Sequence, residues 1–135
     1  MAKKKILIVD DDADTRLLVS ARLKKHQYDT VFAADALGAI AVARQAQPDA
    51  IILDLGLPGG NGFIVLQRLR TNTVLAGIPV IILTADESPE SEFKGLEAGA
   101  VAVLHKPVQE ETLIAAVEGA VGQSESPIIN ARLEF

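Results

Sequence analysis

Cysteine is absent from the 135 residues. That removes a disulfide framework and any thiolate metal site, and leaves the redox compartment unspecified. Positive charge is also short: 13 Lys and Arg stand against 18 Asp and Glu, a formal charge of −5. Phosphate-backbone binding needs clustered cations, so a direct nucleic-acid footprint is not expected. Arg16, Arg22, Lys24 and Lys25, which share one predicted helix, read as a solvated face. No apolar run reaches membrane-spanning length. The start, Met1 to Lys5 then Ile6 to Val9, only imitates a signal peptide, because its apolar stretch stops at three aspartates. A cytoplasmic protein without a membrane partner is the expectation.

What remains is ordinary globular composition, 49% hydrophobic and 23% charged, in a length that suits one domain. Ile6 to Val9, Ala50 to Leu53 and Val80 to Leu83 are continuous apolar runs, the pattern of strands buried on both faces. Tyr28 to Ala33 and Val101 to Leu104 suit edge strands. Helical segments are predicted at about 13–25, 36–46, 62–71, 90–98 and 109–121. In the third, Phe63, Leu66, Leu69 and Arg70 mark the sheet-facing stripe. Ser88, Pro89 and Glu90 open the fourth and Gly99 ends it, while Pro48 closes the second. Strands alternating with helices give an α/β, doubly wound five-stranded parallel sheet with five helices in a single domain. The domain is expected over residues 1–121. Residues 122–135 read as a tail or linker stub, with Ser124, Ser126 and Pro127 breaking any helix and Ile128, Ile129, Leu133 and Phe135 as isolated apolars.

The functional signal is how the apolar runs end. They run into Asp10 and Asp11, into Asp54, into Thr84, and into His105, Lys106 and Pro107. In an open parallel sheet the carboxyl ends share one edge, so these residues converge on one crevice. Asp12 and Asp14 read as a helix cap and a dipole partner. Asp10, Asp11 and Asp54 repel one another unless a cation lies between them, and a hard divalent ion such as Mg²⁺ answers that repulsion. A hydroxyl and an ammonium beside such a site are what a phosphoryl group's oxygens require, with a carboxylate as nucleophile. His26 reads as a solvated residue, and His105 points away from Lys106 if its strand continues.

The runs KILIVDDD, IILDLGLPGGNG, VIILTA and VLHKP together resemble the response-regulator receiver domain of two-component signalling, a CheY-like family, over residues 5 to 121. The resemblance implies a flavodoxin-like strand order 2-1-3-4-5 and a phosphoryl-accepting switch rather than a metabolic enzyme. It makes Asp54 the phosphoacceptor, and Asp10, Asp11, Asp54 and the Gly56 backbone carbonyl the Mg²⁺ ligands. Thr84 becomes the switch hydroxyl, Lys106 the phosphoryl-contacting lysine, and the bond before Pro107 is implied to be cis. The implied partners are a sensor histidine kinase or phosphotransfer protein, and an output partner or fused domain meeting the face of helix four, strand five and helix five. One position departs from the pattern. Where the family usually carries Tyr or Phe, three residues before the lysine, stands Val103, whose β-branched side chain cannot swing as a ring does. Gly56 and Asp86 occupy positions that tune dephosphorylation in the family, and Gly56 has no side chain to obstruct an attacking water. The fifth helix lacks the basic members of the ion pairs through which some receivers dimerise, so a monomer is expected.

Two other classes fit parts of the pattern. DDDAD imitates the Asp-x-Asp element of haloacid-dehalogenase phosphatases, with Asp10 as nucleophile and Asp12 as acid/base, but Asp14 stands where Thr or Val is usual and a cap domain is missing. A pseudo-receiver that binds partners without phosphorylation is the other. A flavin or nucleotide binder is disfavoured because the loop after the first strand is acidic instead of glycine-rich.

Overall fold

The computed structural model describes residues 3–57 and 62–125, with side chains up to Gly122 in the last helix. Residues 58–61 of the IILDLGLPGGNG run, and the tail residues Ser126, Pro127, Ile128, Ile129, Leu133 and Phe135, lie outside the described residues.

Strands and helices alternate along the chain: β1 (Lys5–Val9), α1 (Ala13–Lys25), β2 (Asp29–Ala33), α2 (Ala36–Ala46), β3 (Ala50–Leu53), α3 (Gly62–Thr71), β4 (Val80–Thr84), α4 (Pro89–Glu97), β5 (Ala102–His105) and α5 (Glu110–Glu125). The five strands form one parallel sheet in the order β2-β1-β3-β4-β5. Side chains alternate across a strand, so each central strand feeds two cores. Ile6, Ile8, Ile52, Ile81 and Leu83 pack against Val19 and Leu23 of α1 and Leu113 and Val117 of α5. Leu7, Val9, Ile51, Leu53 and Ile82 face Ala39 and Ala43 of α2 and Val65, Leu66 and Leu69 of α3. Continuous apolar strands are thus buried on both faces, as the sequence pattern requires.

Several local readings change. The buried stripe of α3 is Val65, Leu66 and Leu69, while Arg70 is exposed and its guanidinium lies against Gly99. Gly99 has φ +110°, the left-handed region that favours glycine, and a Cβ there would also push the Arg70 side chain aside. The second helix ends on Gln47, a left-handed residue at φ 48°, one position before Pro48. β5 starts and ends one residue later than Val101 to Leu104. The last helix continues past Val121 to Glu125 with Ser124 inside it, so serine does not break it. Serine's small propensity cost is easily overridden by a helix already anchored through Leu113, Val117 and Val121.

Candidate functional site

The ladder of the sheet continues one residue past the strand ends, and this places the polar residues. The amide of Asp10 donates to Ala33 O at 3.1 Å, that of Asp54 to Val9 O at 2.9 Å, and that of Lys106 to Thr84 O at 2.8 Å. Strand pairing therefore fixes three backbones at one edge before any side chain acts.

The side chains then meet. Lys106 Nζ donates to Asp10 Oδ2 at 2.7 Å and to Asp54 Oδ2 at 3.2 Å. The other Asp10 oxygen accepts from the Asp12 amide at 2.9 Å, and the other Asp54 oxygen from the Gly56 amide at 3.0 Å. Asp10 and Asp54 are buried and Asp11 is exposed, yet one carboxylate oxygen from each lies within 4.8 Å of the others. Two like charges at that separation repel by about 3–4 kcal/mol at an effective dielectric near 20. One ammonium against three carboxylates leaves the crevice negative, and the donors it offers are hard oxygens. That is the donor set of a Mg²⁺-type cation. Burial alone would depress the Lys106 ammonium's pKa, but the Asp10 hydrogen bond, the Asp54 charge and the Asp10 charge outweigh it and raise the pKa above its ordinary value of 10.5.

Thr84 reaches the same edge, buried at the end of β4 opposite His105. Among the described residues its hydroxyl accepts from the Asp86 amide at 3.2 Å and makes no hydrogen bond to Asp54 or Lys106. A Cβ on Gly56 would lie 3.6 Å and 3.8 Å from the two Asp54 oxygens, so a side chain at position 56 would start in contact with that carboxylate. The Lys106–Pro107 bond is cis. Val103 is half-buried against the core that contains Ile82. By strand alternation His105 shares Val103's face, and among the described residues its buried Nδ1 has no hydrogen-bond partner.

Asp12 caps α1: its oxygens accept from the Asp14 amide at 3.1 Å and the Thr15 hydroxyl at 2.8 Å. These bonds, the Thr15 one foremost, hold its pKa below the ordinary carboxylate value, which is opposite to what a general acid needs. The Ser88 and Ser91 contacts of Asp86 lower its pKa too, the Ser88 amide foremost.

Four basic residues read as solvated make defined contacts, and two of them, Lys25 and His26, are exposed as read while both meet Glu110. Arg16 donates to the Asp10 carbonyl at 2.6 Å and Arg22 to the Val108 carbonyl at 2.6 Å. His26, exposed, pairs with Glu110 at 3.1 Å. The missed signal was spacing: Arg16 stands three before Val19 and seven before Leu23, on the buried stripe of α1.

The family model described as the response regulator receiver domain matches residues 6–118. The chain is 40% identical over 121 residues to the DNA-binding dual master transcriptional regulator RpaA of Synechocystis, covering 90% of this chain and 50% of that protein. It is 35% identical over 117 residues to protein PilH of Pseudomonas aeruginosa, covering 87% and 97%. It thus spans half of RpaA, and 58% of the phosphate regulon regulatory protein PhoB of Pseudomonas aeruginosa. Among solved structures, the chemotaxis response regulator CheY4 of Vibrio cholerae superposes with TM-score 0.81 at 34% identity, covering 87% of this chain and 98% of that one. A response regulator from Chloroflexus aurantiacus superposes with TM-score 0.85 at 30% identity, covering 89% and 98%.

Proposed function

Because this chain belongs to the response regulator receiver domain family, we propose that it is a two-component phosphoacceptor whose Asp54 takes a phosphoryl group and so changes which partner it binds. One observation carries the reading: Asp10, Asp11 and Asp54 converge within 4.8 Å while Lys106 bridges two of them.

The Asp54 carboxylate lies against the Lys106 ammonium and offers its own oxygen lone pairs, so it needs no separate base to act as nucleophile. A carboxylate oxygen forms the new P–O bond as the bond from phosphorus to the donor's imidazole nitrogen breaks, and the electron pair leaves with that nitrogen, which takes up a proton. Asp10, Asp11, Asp54 and the Gly56 carbonyl would hold Mg²⁺, whose contribution when bound is to neutralise charge on the phosphoryl oxygens. Lys106 stays beside Asp54 to meet one of those oxygens. Thr84 offers the hydroxyl for another; reaching it means releasing the Asp86 amide, which couples the site to the loop leading into α4. Phe93 and Leu96 of α4, and Val101 just before β5, are exposed apolar residues on the face that the change would present to an output partner. The donor is a sensor kinase or phosphotransfer protein. The domain is assigned to residues 1–121, with α5 running on to Glu125.

Among the described residues no helix is long and apolar enough to cross a membrane. RpaA is a DNA-binding regulator about twice the length that matches here; the charge of −5 argues against a direct nucleic-acid contact by this domain. The hydrolase alternative is disfavoured because both Asp12 oxygens are engaged in capping α1.

The test is phosphorylation by a small phosphodonor with and without Mg²⁺ on wild type and Asp54→Ala, followed by a binding screen with the phosphorylated form. Label on the wild type only, and only with Mg²⁺, supports the proposal. Equal labelling of Asp54→Ala rejects it.

A further inference from the structure

Lys106 belongs to the four-residue connection between His105, the end of β5, and Glu110, the start of α5. A lysine is a point charge on a flexible four-carbon stem, so where its ammonium rests depends on how firmly its backbone is held. On one side the hold is the Lys106 amide on Thr84 O, at 2.8 Å. On the other it is a side chain from a distant helix: Arg22 of α1 donates to the carbonyl of Val108, two residues past Lys106, at 2.6 Å. Packing holds that side only in part, with Val108 half-buried against the core that contains Leu23 and Leu113. Arg22, Lys106, Pro107 and Val108 line a cavity of about 360 Å³ together with Thr15 and Leu18, so the connection also borders open space.

We infer that Arg22 is a positioning residue for the phosphoacceptor site: by holding the Val108 carbonyl it fixes the segment that carries Lys106 and aims the ammonium at Asp54. Arginine suits the task because its planar fork is pre-organised and stays charged at any working pH. Nothing in the inference requires Arg22 to touch the phosphoryl group. A second tie joins the same elements, with Lys25 and His26 both 3.1 Å from Glu110, but it grips the first residue of α5 and not the Lys106 segment. The two ties therefore separate a general α1–α5 clamp from a specific aim. The kinetic part rests on the phosphoacceptor reading; the conformational part does not.

The experiment compares wild type, Arg22→Met, Arg22→Lys and Glu110→Gln in the full chain, with phosphoramidate and Mg²⁺ as donor system. Met keeps the cavity-lining stem and loses the donor. Its rate at saturating phosphoramidate should fall on the order of tenfold, because misplacing a positioned group costs rate, while half-saturation changes by less than about twofold. Arg22→Lys, retaining a donor, should recover part of the loss, and Glu110→Gln should match wild type. In a Lys106→Ala background Arg22→Met should add nothing, since it acts through Lys106. A wild-type rate in Arg22→Met, an equal loss in Glu110→Gln, or an undiminished effect without Lys106 would each overturn the inference. Amide exchange supplies a reading independent of phosphorylation: the Lys106 amide should exchange about tenfold faster in Arg22→Met, with Ile82 of the central sheet unchanged. If wild type accepts no phosphoryl group, the phosphoacceptor reading fails and exchange alone decides: faster exchange at Lys106 sustains the positioning role, and unchanged exchange ends it.

Discussion

Gly95 of α4 lies so close to Val103 of β5 that a Cβ on the glycine would stand 3.2 Å from Val103 Cγ2, and 2.7 Å from Ile82 Cδ1. The helix is seated directly on the strand at the place where the family usually carries an aromatic ring. Gly95→Ala gains about 1 kcal/mol of helix propensity but must displace buried side-chain atoms, an overpacking cost of about 1–3 kcal/mol. A net loss of about 1 kcal/mol in urea unfolding is expected, and Gly95→Val should lose more. A gain in stability for both variants would show that α4 is not pressed against the sheet.

Gly62 is a harder case. A Cβ there would fall 2.6 Å from the Asp54 carbonyl oxygen and 2.7 Å from Leu55 Cα, both backbone atoms that cannot swing aside. Gly62→Ala should cost about 3 kcal/mol or more. Because the displaced backbone carries Asp54, phosphorylation by a small donor should fall with it, measured under conditions where the variant is still folded by circular dichroism.

Removing metal should expose the role of Asp11. It is exposed and Lys106 does not bond to it, so Asp11→Ala should leave the metal-free unfolding midpoint nearly unchanged. Wild type should gain stability with Mg²⁺, by about 2.7 kcal/mol at a hundredfold excess over the dissociation constant. Asp11→Ala should lose most of that gain. An equal Mg²⁺ response in both proteins would remove Asp11 from the ligand set.

The pairing of Lys106 has a pH signature. Its folded pKa is raised above 10.5, so its stabilising contribution is complete below that value and is lost as pH climbs through the raised one. In metal-free solution, wild type should exceed Lys106→Met in stability near neutrality, and the gap should close above about pH 10.5. A gap that persisted in strong alkali would mean that packing of the stem, and not the ammonium, made the difference.

Much of this was legible in the chain because parallel strands buried on both faces leave a distinct trace, and because the residue ending each one is polar: Asp10, Asp54, Thr84. The strand order came from the family resemblance, since apolar runs alone do not say which strand neighbours which. Less legible were contacts that depend on helix rotation. Arg16 and Arg22 look like any surface arginines until α1 is turned so that Val19 and Leu23 face the sheet. Positive φ at Gln27 and Gln47 also escaped, because each closes the end of a helix in the left-handed conformation that glycine would advertise and glutamine does not. Ser124 shows an override, with a weak local preference yielding to an anchored helix.

The order β2-β1-β3-β4-β5 also has a temporal side. A ribosome delivers Asp10, Asp11 and Asp54 well before Lys106, which follows the final strand. Synthesis thus supplies the mutually repelling acids first and their counter-charge only after β5, so a chain cut short ahead of that strand inherits the repulsion without its remedy.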